Sequence, residues 1–187
     1  MRQVKPVQRD GPHTGIAMKT PTSIEPIGPA QQVPLQSMMD EANHVTLVLH
    51  DAYRFAVDFG LPGAAALLSD VKPPLGRGAG PDSEQLLVAA VANCLSSSLL
   101  FSLRKFRNEA VPMRTTAGAA LSRNAQGRLR VAGIEVAIRL GVAGSTLRQL
   151  DRALAQFEDF CVVTQSVRAA IPVEVRVFDD SGALLTT

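Results

Sequence analysis

The sequence predicts an α+β fold, and three features predict it. Segments that alternate apolar and polar residues gather in two groups, one early and one late in the chain. Between the groups runs Leu86 to Phe101, a stretch without one charged side chain. The resulting order is strands, a long helix, strands, a helix and a last strand, and no internal repeat interrupts it. Element types are therefore grouped rather than strictly alternating.

Met1 to about Gln36 is rich in Pro, Gly, Gln and Thr and has no sustained apolar period. Residues 1–36 are expected to be a flexible tail or an arm that lies on a partner surface, and residues 37–187 the folded domain. Ser37 to Asn43 is compatible with a short helical turn. Val45, Leu47 and Leu49 then alternate with Thr46, Val48 and His50, and Tyr53, Phe55, Val57 and Phe59 alternate with Arg54, Ala56 and Asp58. These read as two strands joined by a tight turn near Asp51. A third strand is expected over Ala64 to Asp70. Lys72 to Pro81 holds three prolines and three glycines, so it is a loop.

The central helix opens at Asp82, the N-cap, with Gln85 completing a capping-box pattern. Glu84 sits in the first turn, where the helix dipole favours a carboxylate. The basic cluster Arg104, Lys105 and Arg107 suits a helix end, and Pro112 forbids continuation. A helix with no polar face must be buried on all sides. Its uncharged stretch is shorter than the roughly 20 residues that cross a bilayer, so it is expected to form the centre of a soluble core.

Met113 to Ser122 and Arg128 to Gly141 read as strands around a turn at Asn124 to Gly127. In the second, Ile134, Val136, Ile138 and Leu140 face one way and Glu135 and Arg139 the other. Thr146 and Gln149 form a second capping-box pattern, opening a helix with the stripe Leu147, Leu150, Leu154 and Phe157. Cys161 falls on the continuation of that stripe. Ile171 to Phe178 is the last strand.

Composition excludes several functions. Aromatic residues are 4% of the chain, with no Trp and one Tyr, too few for stacking platforms on single-stranded nucleic acid. A net charge of +2 does not call for a nucleic-acid or anionic-membrane partner. His13, His44 and His50 have no metal-ligand spacing with either cysteine, so no zinc site is expected. Gly76-Arg77-Gly78-Ala79-Gly80 lacks the Gly-Lys-Ser/Thr of a phosphate loop. No cofactor is expected. The first residues lack the apolar core of a secretory signal. Two distant cysteines make no disulfide framework, so a reducing, cytoplasmic setting is the expectation.

The chemistry-bearing candidates are Cys94 and Cys161. A free cysteine packs well as a small hydrophobe, and that role is open to both. Both, however, fall on core-facing positions of the two long helices, whose packing can bring the sulfurs together. A thiol reacts only as the thiolate, which an apolar site suppresses, so a reactive cysteine needs a polarising partner. Glu84 lies ten positions before Cys94 (94 − 84), about 15 Å of helical rise, so it cannot touch that cysteine on a straight helix. It can approach the cysteine of a second subunit if two such helices pack antiparallel. Arg54 and Arg77 are the arginine candidates for the same site.

Gly80-Pro81-Asp82-Ser83-Glu84-Gln85-Leu86-Leu87, Ala89-Ala90-Val91-Ala92-Asn93-Cys94-Leu95, Cys161-Val162-Val163-Thr164-Gln165-Ser166-Val167 and Ile171-Pro172-Val173-Glu174-Val175 resemble the OsmC/Ohr family. These are the osmotically inducible protein C and organic hydroperoxide resistance proteins. The resemblance covers about Val45 to Phe178. It implies antiparallel sheets wrapped around a long buried central helix, in an intertwined homodimer with active sites at the subunit interface. It implies a peroxidatic Cys94, a resolving Cys161, and Glu84 holding an arginine beside the reactive thiol. The position closest in spacing to the family arginine is Arg54. The chain departs from the family at Ser83, often Pro there, and at Val162-Val163-Thr164, where the family usually has Pro-Val-Ser.

The function so implied is thiol-dependent reduction of organic hydroperoxides, with an external dithiol as reductant. The alternative is a non-catalytic dimeric module of the same fold, whose cysteines are structural or line a site for a small apolar ligand.

Overall fold

Two strands open the fold: β1 (Thr46–Asp51) and β2 (Arg54–Asp58) pair antiparallel, with Leu47 opposite Val57. The two-residue turn between them puts Ala52 at a φ of 45°, the left-handed backbone that tight hairpins require. In the computed structural model residues 44–185 are described. The tail expected over residues 1–36 and the turn at Ser37 to Asn43 lie outside them. Strand β3 (Leu67–Ser69) adds antiparallel to β2, giving the sheet order β1-β2-β3. It is shorter than the expected Ala64 to Asp70. A turn at Pro62 and Gly63, closed by the Ala64 N–H on the Leu61 carbonyl, takes up the first part of that segment. Leu47, Val48 and Leu49 of β1 are each more than half exposed.

The loop after β3 is laced back onto it. Buried Asp70 accepts the N–H groups of Arg77 and Ala79 at 3.0 Å each, and its own N–H donates to the Pro81 carbonyl. Those bonds to the ionised carboxylate hold the Asp70 pKa below its ordinary value, against the opposing effect of burial, with a smaller contribution from the charge of Arg54. Gly80 passes so close to β3 that a Cβ there would lie 1.9 Å from the Leu68 carbonyl oxygen.

Helix α1 spans Ser83–Lys105. Its capping box forms as the sequence predicts: the Gln85 N–H donates to Asp82 Oδ1 at 2.9 Å, and the Asp82 N–H donates to Gln85 Oε1 at 3.0 Å. The helix ends in a Schellman arrangement. The Asn108 N–H reaches the Leu103 carbonyl and the Arg107 N–H the Arg104 carbonyl, with Arg107 left-handed at φ 59°.

Strands β4 (Met113–Arg123) and β5 (Leu129–Leu140) pair antiparallel from Met113 opposite Leu140. Asn124 Oδ1 shapes their turn by accepting the N–H groups of Gln126 and Arg128. After β5 come a 3-10 turn (Gly144–Thr146), helix α2 (Leu150–Gln156), a second 3-10 turn (Glu158–Phe160), helix α3 (Val162–Arg168) and strand β6 (Val173–Phe178). β6 runs parallel to β5, with Ile134 opposite Val173, because the helical crossover returns the chain to the same end of the sheet. The other strand pairs are antiparallel.

Two local expectations are corrected. Thr146 and Gln149 form no capping box: the Thr146 hydroxyl donates backward to the Ala143 carbonyl, and Gln149 is left-handed at φ 50°. The side chain of Asn108 engages both the N–H and the carbonyl of Arg148, which keeps that residue out of a helix. Nor does the helix run on to Cys161. It ends at Gln156, and Cys161, with extended backbone, instead opens α3.

The core lies between α1 and the β4-β5-β6 sheet. Val91, Leu95, Leu99 and Leu103 of α1 meet Ile134, Val136, Ile138 and Leu140 of β5, with Phe157, Cys161 and Val177. The expectation of a helix buried on every side holds for one face within a single chain. Sheet and helices cover one side, while Ala89, Ala90, Asn93 and Phe101 on α1 are exposed. By length and composition alone α1 could also cross a membrane; its buried stripe packs instead into a core shared with a sheet.

Candidate active site

Cys94 lies beside Leu95 at the edge of the buried stripe of α1 and is half-buried. Cys161 is fully buried at the entry to α3. The two thiols, both reduced, lie close enough for Cys94 to act on the Cys161 thiol.

Several bonds fix Cys161 in that position. Its N–H donates to the Glu158 carbonyl at 3.0 Å, and its carbonyl accepts the Gln165 N–H at 2.9 Å. Arg168, at the end of α3, forms an ion pair with Glu158. The same guanidinium donates to the Val173 carbonyl at the start of β6. The turn before Cys161, the helix after it and the next strand are thereby tied together. The Cys161 thiol itself donates to Thr164 Oγ1 at 2.9 Å, and Thr164 is fully buried.

Burial pushes the Cys161 thiol up from its ordinary pKa, and the neighbouring Cys94 adds to the rise; the hydrogen bonds to Thr164 act the other way. Cys161 is thus held as a thiol and shielded from solvent, while Cys94 is the one of the pair that presents surface. Chemically, two adjacent thiols of unequal access can react in sequence: the accessible one with an outside oxidant, the buried one with the product.

The charged candidates lie elsewhere in the chain. Glu84 is exposed on the first turn of α1. It lines a groove of about 690 Å³ between that turn and β4, together with Lys72, Asp82, Val88, Thr115 and Leu121. Arg54 begins β2, in an ion pair with Asp51 at 2.5 Å, and its buried Nε has no hydrogen-bond partner. Arg77 is exposed in the loop that Asp70 secures. None of the described hydrogen bonds or ion pairs of these three residues reaches either cysteine. The sequence reading missed Thr164, Arg168 and Glu158. Thr164 was legible as a hydroxyl three residues after Cys161, one helical turn on; the Arg168–Glu158 pair depends on a break in the helix that no Gly or Pro marks. Among the described residues no three His, Cys, Asp or Glu side chains gather as metal ligands.

The model of the family described as OsmC-like protein matches residues 76–176. This stretch holds Glu84, both cysteines, β4, β5 and most of β6. The chain belongs to the OsmC-like family. Solved structures repeat its α+β fold at low sequence identity. An OsmC-like protein of unknown function from Vibrio cholerae superposes with a TM-score of 0.60 at 19% identity, over 72% of this chain and 97% of its own. An organic hydroperoxide resistance protein from Legionella pneumophila gives 0.55 at 15%, over 72% and 96%. The organic hydroperoxide resistance protein of Bacillus subtilis gives 0.54 at 17%, also over 72% and 96%. No curated protein matches the chain.

Proposed function

We propose that this OsmC-like protein is a thiol peroxidase that reduces organic hydroperoxides. The observation that carries the reading is the proximity of Cys94, half-buried, and Cys161, fully buried, from distant parts of the chain. Membership of a family with hydroperoxide-resistance proteins among its structural relatives supports it.

The Cys94 thiolate attacks the terminal oxygen of the hydroperoxide. The O–O bond breaks, the alkoxide leaves and takes a proton to become an alcohol, and Cys94 becomes a sulfenic acid. The Cys161 sulfur then attacks the Cys94 sulfur. The S–O bond breaks, and the hydroxyl leaves as water with the Cys161 proton. An external dithiol reduces the resulting disulfide by exchange, becoming a disulfide itself. Burial of Cys161 directs that exchange to the Cys94 sulfur. The apolar surroundings, Leu95 and Val91 on α1 among them, favour an organic substrate over hydrogen peroxide.

The thiolate still needs a cation, and the active unit in this reading is a cytoplasmic homodimer of the domain over residues 37–187. In a dimer, Glu84 of one subunit orients Arg54 beside Cys94 of the other. The exposed apolar residues of β1 and the open face of α1 are the surfaces such a dimer would cover. Steady-state consumption of cumene hydroperoxide and hydrogen peroxide, with a dithiol present, tests the function. Faster turnover of the organic peroxide is expected; consumption of neither contradicts the reading.

A further inference from the structure

Resting on the peroxidase reading, we propose that Thr164 is the positioning residue of the resolving step, its hydroxyl aiming the Cys161 sulfur at Cys94 and steadying the charge that sulfur acquires as it attacks. The geometry is local and complete. Thr164 Oγ1 lies 2.9 Å from Cys161 Sγ, one turn into α3, and both residues are sealed from solvent. A hydroxyl in that place has two uses. In the resting protein it accepts the thiol proton, fixing the sulfur's rotamer. When the thiol gives up its proton, the hydroxyl rotates and donates to the thiolate.

The need for such a group follows from the surroundings. Burial and the adjacent Cys94 both disfavour a charged Cys161, and what opposes them is the Thr164 hydroxyl together with the backbone N–H of the same residue. Of the charges that flank it, Glu158 in the preceding turn is paired with Arg168 of α3, Asp159 is exposed, and Lys105 of α1 donates to Gln156. Cys94 of α1 is the titratable side chain that bears directly on Cys161.

The step itself balances without another reagent: the Cys161 proton leaves with the hydroxyl of the Cys94 sulfenic acid as water, and one S–S bond replaces one S–O bond. Thr164 exchanges no atoms. It affects how fast the sulfenic acid is consumed, not how fast it forms.

Single-turnover oxidation of the full chain by cumene hydroperoxide separates these rates. Mass spectrometry with a sulfenic-acid trap counts the intermediate, and loss of free thiol counts the disulfide. Thr164→Val keeps the shape and deletes the hydroxyl; Thr164→Ser keeps the hydroxyl. Loss of one hydrogen bond to a charged group should slow disulfide formation by roughly tenfold or more in Thr164→Val. Peroxide consumption in the first turnover should be unchanged, and the pH midpoint of the resolving step should move up. Thr164→Ser should restore the rate and the midpoint. A resolving rate and pH midpoint in Thr164→Val equal to wild type would overturn the role of Thr164 alone. An equal slowing in Thr164→Ser would overturn it too, since the hydroxyl would then not be the reason. No peroxide consumption by the wild-type chain would overturn the peroxidase reading, and this role with it.

Discussion

Cys94 and Cys161, 67 positions apart in sequence (161 − 94), are brought near enough for one thiol to act on the other, one at the edge of the long helix and the other at the mouth of a short one. They are near each other because three tertiary features coincide. The stripe Val91, Leu95 and Leu99 seats α1 on the sheet. The 3-10 turn Glu158–Phe160 redirects the chain after α2. Arg168 ties that turn to β6.

Removing the tie should loosen Cys161 without unfolding the sheet. Arg168→Ala breaks the half-buried ion pair and the bonds to the Val173 carbonyl. A loss of about 1–3 kcal/mol is expected, read from urea denaturation. The Cys161 thiol should also become more accessible to an alkylating reagent. An unchanged alkylation rate would show that the turn holds itself.

Gly80 has no room for a side chain. A Cβ there would lie 1.9 Å from the Leu68 carbonyl oxygen, a backbone atom with no rotamer to yield. Gly80→Ala should cost about 1–3 kcal/mol in the same experiment. A neutral result would mean that the loop can shift away from β3 freely.

Arg107 carries a left-handed backbone at the end of α1, at φ 59°. A side chain in that conformation is strained, and glycine is the residue that relieves it. Arg107→Gly should stabilise the protein by about 1 kcal/mol, as a rise in its thermal midpoint. A fall would show that the Arg107 side chain makes a compensating contact.

Asp70, Asp82 and Asp179 give the protein an acid limit. Hydrogen bonds from backbone N–H groups lower the pKa of Asp70 and Asp82, and the Ser181 hydroxyl leads the same effect at Asp179. A folded-state pKa below the unfolded one means the ionised form is favoured by folding. The stabilisation is therefore complete above the unfolded value of about 3.9 and disappears as pH falls through the lower folded values. Denaturation midpoints should be flat from neutral pH down to that range and then drop. In Asp70→Asn the drop should be shallower, because one of the groups no longer titrates. An identical acid profile would remove Asp70 from this role.

How far the sequence was legible depended on whether the determining contacts were local. The capping box Asp82–Gln85 lies within one helical turn, and α1 begins where it predicts. The turn at Asn124 to Gly127 and the alternation of Ile134, Val136, Ile138 and Leu140 likewise carry their own signal. Thr146 and Gln149 show the same local pattern as Asp82 and Gln85, yet they form no cap, since Asn108 of a distant segment takes the backbone of Arg148. Cys161 was expected to face inward as part of one long stripe. It does face inward, but from the start of another helix, after a break stabilised by Arg168 and Glu158. The direction of β6 was hidden too, because an alternating pattern is the same for parallel and antiparallel pairing. Glu84 and Arg54 were legible as residues, their place beside a thiol only as what the family resemblance implies, and within one chain none of their described hydrogen bonds or ion pairs reaches it.

Those two residues give the test of the dimeric site. Sedimentation should give twice the chain mass of 19.9 kDa. Glu84→Ala and Arg54→Ala should each slow peroxide turnover by roughly 100-fold, the scale seen when a group that stabilises transition-state charge is removed, and leave the dimer intact. A silent Arg54→Ala with a slow Arg77→Ala would assign the cation to Arg77 instead.

The most direct test of the central claim is the intact mass of the unreduced chain after one equivalent of cumene hydroperoxide. The account predicts a single chain lighter by about 2 Da, two thiol hydrogens lost to a Cys94–Cys161 disulfide. Cys161→Ser should instead carry a trappable sulfenic acid on Cys94, and Cys94→Ser should leave the peroxide unconsumed. A disulfide-linked dimer, or a chain of unchanged mass with the peroxide intact, would contradict it.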